Sequence, residues 1–352
     1  MHRQTVNEIM PLLTILDQPA FCIRANGALV FNQRAKNVVP SCAAALPQWM
    51  GQSKALYDMW DRSGNLQICV DICGVLYSVT LQALQDGTLF LMSPAAVGEQ
   101  ALDVLAVASQ IMRMPLADLS SSFSLISPDK PIESTGPLYR QLYRMTRIVS
   151  NLTDLGRLSA KEPHLVVEDL DTDSFLLPLL DEIAELCRSA DRQLQYELPK
   201  KSVTFCGDGD LLRRAILNLV SNALKYSPAG TPLCLRVEVI GTHITLRLEN
   251  TCTDDGSELL RAAFTRLTQR GFLPDPNWGL GLGLPLAAAI ARLHGGMVAV
   301  ETLDGKATVC LSVSRRKPSV KLASPLRVDY TGGMRQTLLE LSDVLPSELY
   351  GK

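Results

Sequence analysis

Asn218-Leu219-Val220-Ser221-Asn222-Ala223-Leu224-Lys225-Tyr226-Ser227-Pro228 is the stretch on which the fold of this 352-residue chain turns. With Leu212 and Ile216 before it, its apolar positions recur at helical spacing and predict a helix over 210–226 with one face in a core. Asn218, Asn222 and Lys225 stand at i, i+4 and i+7 and share one stripe of that helix. Most such stripes are simply solvated. Asparagine is a poor interior helix residue, however, because its amide competes for the backbone, so two of them a turn apart call for a reason. A neutral amide oxygen can ligate a hard cation already neutralised by phosphates, and Lys225 can offset the remaining charge.

The second informative stretch is Gly279-Leu280-Gly281-Leu282-Gly283-Leu284-Pro285. Proline is favoured in a first helical turn and Gly295-Gly296 supplies a stop, so a helix is predicted over 285–294. A glycine-rich entry to a helix exposes backbone N–H groups to phosphate. It is not a P-loop, since no Gly-Lys-Ser/Thr is present, and it lacks the GxGxxG spacing behind a strand. Taken alone, a flexible hinge is the better reading; beside the asparagine helix, a phosphate cradle is.

Around these two elements, helices near 173–191 and 209–226 alternate with strands at 233–240, 243–249, 297–302 and 307–313. One helix layer on one sheet fits that order. Upstream, two hairpin signals occur: Phe21–Arg24 and Ala28–Phe31 flank Asn26-Gly27, and Val75–Leu81 and Thr88–Met92 flank Asp86-Gly87. Short helices and loops are expected between them, where Pro40, Pro47, Gly51 and Gly64 fall. From Leu102 to Ile126 apolar residues recur at alternating spacings of three and four, and after the prolines 131 and 137 a second series follows at Leu138, Leu142, Met145, Val149, Leu152 and Leu155. A two-helix hairpin cannot cover so long a seam, so a dimeric four-helix bundle is expected. The tail beyond Arg315 is expected to be disordered or loosely docked; the alternative is that the apolar side given by Leu338, Leu339, Leu341 and Leu345 packs on the preceding domain or on a partner.

Composition sets outer bounds. Lys plus Arg (34) nearly balance Asp plus Glu (36) and 47% of residues are hydrophobic, which offers no electrostatic case for nucleic acid or a membrane surface. No run approaches the roughly 18 apolar residues of a membrane helix, so a cytoplasmic protein without membrane insertion is expected. Nine cysteines are scattered, and Cys69 and Cys73 lack the spacing of a zinc pair, so reduced, mostly buried thiols are expected.

The motifs together resemble the sensor histidine kinase family. Residues 218–228 are similar to its asparagine box, Gly279–Leu284 to its second glycine box, and Phe264 and Arg266 to its phenylalanine box, with Phe264–Trp278 as the ATP lid. The resemblance implies a multidomain α+β protein: a PAS-like antiparallel sensory domain (1–95), a two-helix dimerisation and phosphoacceptor-like hairpin (96–160), a Bergerat-type α/β sandwich ATPase domain of the GHKL class (165–316) and a tail (317–352). In the PAS-like domain, Leu12–Phe21, Asn26-Gly27 and Phe31-Asn32 resemble the opening strands. The cofactor implied is Mg-ATP. Asn222 would ligate magnesium, Asn218 and Lys225 would face the phosphates with the backbone of Gly279, Gly281, Gly283 and Leu284, and Tyr226 would lie beside the adenine. Asn250 stands where the family usually has an adenine-binding aspartate, and its amide oxygen can still accept from the adenine amine. Cys252 and Asp254 replace the glycines expected next.

Ser109-Gln110-Ile111-Met112-Arg113-Met114-Pro115-Leu116 resembles the family's histidine box, with Gln110 at the phosphoacceptor position. The lone pair of an amide nitrogen is delocalised, so Gln110 cannot be phosphorylated as an imidazole is. Ile111 and Met114 also replace the polar neighbours used for acid–base work. A histidine-kinase-like pseudokinase is therefore expected, a homodimer through 96–160 with a response regulator or another signalling protein as partner. The alternatives are an active kinase with another acceptor and a nucleotide-free scaffold. An ATP hydrolase of the same fold would need a glutamate at 218, where asparagine cannot act as a base.

Overall fold

The computed structural model describes residues 5–38, 60, 65–72, 75–94, 135–158, 165–252, 281–316 and 334–350. The helix over 102–126, Gln110, the lid with Phe264 and Arg266, and Gly279 lie outside the described residues.

The portion from 165 to 316 follows the expected order. Strands Leu233–Ile240, His243–Thr251, Val298–Leu303 and Lys306–Ser314 pair antiparallel, and Leu194–Glu197 adds a parallel edge beside Leu233–Ile240. Helices Leu177–Arg188, Gly209–Tyr226 and Gly283–Leu293 supply one layer, and Leu180, Ile183, Leu217, Val220, Leu286 and Ile290 meet Leu246, Val309 and Leu311 in the main core. The helix expected over 173–191 differs at both ends. It opens as a π-helical turn, Thr172–Leu176, capped by the Asp171 carboxylate, and ends at Arg188. Strands Glu168–Asp171 and Thr204–Gly207, which form a separate two-stranded sheet, and Leu194–Glu197 have only four residues each, too short for an alternation to stand out.

The N-terminal portion contains both expected hairpins, Ala20–Arg24 with Leu29–Phe31 and Val75–Ala83 with Gly87–Pro94. The reading of Leu12–Phe21 as opening strand is corrected. Thr5 and Glu8 form a capping box that starts a helix over Val6–Ile15, and its Val6, Ile9 and Leu13 are buried, so the strand begins only at Ala20. An unforeseen strand, Asn65–Ile72, pairs with Val75–Ala83 on one side and with Val298–Leu303 of the C-terminal portion on the other, in the register Ala299↔Ile68 and Glu301↔Leu66. Among the described residues, one sheet of ten strands therefore runs through both portions. Met297, Ala299 and Cys310 share a core with Phe21, Leu66, Ile68, Phe90 and Met92. The helix layer packs on one face of the strands of 233–314; on the other face Met297, Ala299 and Cys310, near the edge that pairs with Asn65–Ile72, join the N-terminal core.

The largest correction concerns the tail. Residues 334–350 are docked: Gln336–Glu340 forms a short helix, and Leu338, Leu339, Leu341, Leu345 and Tyr350 are buried. They pack against helix Thr135–Leu158 and the asparagine helix. A composition-based reading favours disorder here because it cannot see that polar and apolar residues of the tail have waiting partners far back in the chain.

Candidate functional site: a cationic cradle at the asparagine helix

The asparagine helix, Gly209–Tyr226, starts at Asp208, whose carboxylate accepts from the Leu211 N–H and from the Val166 N–H. The Asp208 N–H in turn donates to Nε2 of His294 at 2.9 Å, which leaves Nδ1 of that ring protonated and donating to the Ile290 carbonyl at 2.8 Å. His294 is fully buried, and burial holds it below its usual pKa. A neutral imidazole thus ties the start of one site helix to the end of the other.

The two elements singled out by sequence do meet. A Cβ on Gly283 would lie 2.9 Å from Asn218 Oδ1 and 3.3 Å from Asn222 Nδ2, so the glycine is required for the second helix to begin against the asparagines. Gly281 has φ +67°, the left-handed region in which glycine turns the chain into that helix. Leu284 is buried beneath it. Asn218 is 0% exposed, Lys225 is nearly enclosed and Asn222 is half-buried, so the solvated-stripe reading does not hold.

At the far end of the helix, Tyr226 is buried and Ser227 Oγ accepts from Asn250 Nδ2 at 3.0 Å. Asn250, 4% exposed on strand His243–Thr251, also directs Nδ2 at the Thr251 carbonyl and at Cys252 Sγ. Its Oδ1 is buried and has no hydrogen-bond partner among the described residues. A buried acceptor left bare costs about 1–3 kcal/mol. Burial raises the neighbouring Cys252 thiol, keeping it protonated.

What the sequence reading missed faces this stripe. Helix Thr135–Leu158 carries Arg140, Arg144, Arg147, Asn151 and Asp154 at alternating spacings of four and three, a polar seam beside its apolar one. The apolar positions Leu142 and Val149 are exposed, whereas Arg147, Asn151 and Asp154 are buried against the asparagine helix. Arg147 Nη2 donates to Asn218 Oδ1 at 3.1 Å, and Arg214 Nη2 to Asn151 Oδ1 at 2.8 Å; Arg214 also pairs with Asp154. The signal was present as spacing, but arginines on a hairpin helix read as a solvated face.

Between the two polar stripes lie two carboxylates of the tail. Glu340, 0% exposed, accepts from Arg214 Nε at 2.9 Å, Arg147 Nε at 3.1 Å and Asn218 Nδ2 at 3.2 Å. Asp343 accepts from Arg147 Nη1 at 2.7 Å, Arg144 Nε at 3.0 Å and Lys225 Nζ. Burial works to raise the Asp343 carboxyl, but Lys225, Arg147 and Arg144 outweigh it and hold it well below the usual carboxylate range. Lys225 is lowered, chiefly by burial, with Asp343 opposing.

Residues 207–317 match the family described as histidine kinase-, DNA gyrase B- and HSP90-like ATPases. The sensor protein kinase PmrB of Pseudomonas aeruginosa is 30% identical over 205 residues, covering 56% of this chain and 42% of PmrB. The adaptive-response sensory kinase SasA of Synechococcus sp. is 26% identical over 276 residues, 74% of this chain and 71% of SasA. Among solved structures, histidine kinase ThkA in complex with response regulator protein TrrA is 13% identical with a TM-score of 0.45, covering 86% of this chain and 96% of that one. The chain spans less than half the length of PmrB. No helix among the described residues is long and apolar enough to cross a membrane. The ATPase-family match contains both site helices, and the relatives that this chain resembles are sensor kinases.

Proposed function

We propose that this chain is a histidine-kinase-like signalling protein that binds Mg-ATP between the asparagine helix and the helix that starts at Gly283, and that it does not phosphorylate itself at the usual place. The observation that carries the reading is that Gly283 lies against Asn218 and Asn222, so that the glycine turn and the asparagine stripe border one site. Asn222 would offer its amide oxygen to magnesium, with the phosphates against Asn218, Lys225 and the backbone of Gly279, Gly281, Gly283 and Leu284. The donor set suits a cation that arrives with its charge already offset by phosphate: it offers an amide oxygen and no carboxylate from the asparagine stripe. The bare Oδ1 of Asn250 suits the exocyclic amine of adenine, with Tyr226 beside the ring. The metal and triphosphate would supply a polarised γ-phosphoryl group, which Asn218, Asn222 and Lys225 would hold and orient.

Gln110, at the phosphoacceptor position, has no nucleophilic nitrogen to receive that group. The output is then conformational, exerted through a homodimer formed by 96–160 and through a partner of the response-regulator class. The experiment is incubation of the full chain with γ-labelled ATP and magnesium. ATP binding without acid-labile label on the protein is expected; stoichiometric acid-labile label would establish an active kinase with another acceptor instead.

A further inference from the structure

We infer that the C-terminal segment 334–350 is a built-in competitor for the phosphate end of this site, so that the docked tail and ATP exclude one another. The inference rests on the nucleotide reading above and adds to it a means of regulation. Lys225 and Asn218, the two groups assigned to the phosphates, are both held by tail carboxylates: Lys225 Nζ by Asp343, and Asn218 Nδ2 by Glu340 at 3.2 Å. Arg147 and Arg214 complete the cradle from either side. Together Glu340 and Asp343 bring two negative charges, as a magnesium-bound triphosphate does. The tail therefore answers the charge of the cradle as the nucleotide would, with oxygen acceptors on the same donors.

The docked pose is built, not a collapse of apolar residues. A Cβ on Gly136 would lie 2.5 Å from the Ser347 carbonyl oxygen, so the opening turn of helix Thr135–Leu158 accepts the tail backbone only because it has no side chain there. Tyr350 packs edge-on against Tyr143, with ring centroids 5.0 Å apart, and its hydroxyl donates to the Leu338 carbonyl at 3.0 Å. Arg140 donates to the carbonyls of Ser342 and Asp343 and fixes the turn that presents both acids. Nothing in this arrangement engages Asn250 at the adenine end, whose Nδ2 bonds run to Ser227, Thr251 and Cys252. The competition is therefore with phosphates and not with the base.

Calorimetric titration of the full chain and of the E340Q/D343N full chain with Mg-ATP and with AMP tests this. The variant is expected to bind Mg-ATP at least tenfold more tightly than wild type, and AMP with less than a threefold change. Equal ATP affinities would overturn the inference and leave the nucleotide reading standing; no binding by either chain would overturn both. If the variant fails to fold, amide exchange of the wild-type chain decides the matter. Saturating Mg-ATP is expected to speed exchange at Leu341, Leu345 and Tyr350 at least tenfold, and bound ATP with unchanged protection there would overturn the inference.

Discussion

Replacing Glu340 by alanine removes a fully buried carboxylate that accepts three hydrogen bonds, two from arginines and one from Asn218. Removing one partner of a buried ion pair costs about 3–5 kcal/mol, because the other charge is left desolvated. Neither arginine is left alone here: Arg147 keeps Asp343 at 2.7 Å, and Arg214 keeps Asp154. The lower end of that range applies, about 3 kcal/mol, most of it falling on the docking of the tail. At about 1.4 kcal/mol per tenfold, that raises the undocked fraction roughly a hundredfold. Native-state hydrogen exchange reads it directly, because Leu341, Leu345 and Tyr350 amides bond within the docked segment, to Thr337, Leu341 and Ser347 carbonyls. Exchange at these three amides is expected to accelerate about a hundredfold, with Ile216 and Leu246 amides in the ATPase core little changed. An acceleration below about threefold, some 0.6 kcal/mol, would show that Glu340 does not hold the tail and would refute the electrostatic account of docking.

Three further outcomes are expected. Gly283→Ala pushes a methyl group to 2.9 Å from Asn218 Oδ1 and should destabilise the chain by about 1–3 kcal/mol while weakening ATP binding; denaturant unfolding and calorimetry with an unchanged result in both would contradict the close approach. Asn250 should select adenine, since its bare oxygen accepts from an amine and repels the carbonyl of guanine, so ATP should bind about tenfold more tightly than GTP and Asn250→Ala should erase the difference; nucleotide titrations check this. Burial lowers the pKa of His294, so the unfolded chain takes up a proton at higher pH than the folded one does. The stability this residue contributes is complete above the ordinary histidine pKa of about 6.5 and falls with acidification below it, by up to about 1.4 kcal/mol per pH unit. Urea unfolding between pH 7.5 and 5 should show that slope, and His294→Gln should flatten it.

The bounds of the asparagine helix and of strand Leu233–Ile240 were legible because each is long and amphipathic, with a regular period and a clear end. Asn218 and Asn222 were legible as site candidates because asparagine is costly in a helix interior, so the residues themselves signal a use. Neither Glu340 nor Arg147 carries such a signal. Charged residues on helices are ordinarily solvated, and only tertiary structure shows that Arg140, Arg144 and Arg147 on one helix face Arg214, Asn218 and Lys225 on another, with the tail acids between. Strand Asn65–Ile72 escaped for a related reason. It completes a sheet whose other half lies more than two hundred residues away, and nothing in Asn65-Leu66-Gln67-Ile68 names Val298–Leu303 as its partner.

The central claim is that Asn222 and its helix hold a magnesium-nucleotide, and it is tested most directly by titrating Mg-ATP into the E340Q/D343N full chain with and without the added substitution Asn222→Ala, each also in EDTA. The account predicts magnesium-dependent binding that weakens at least tenfold when Asn222 is replaced. Equal affinity for the two proteins, or binding indifferent to magnesium, would contradict it.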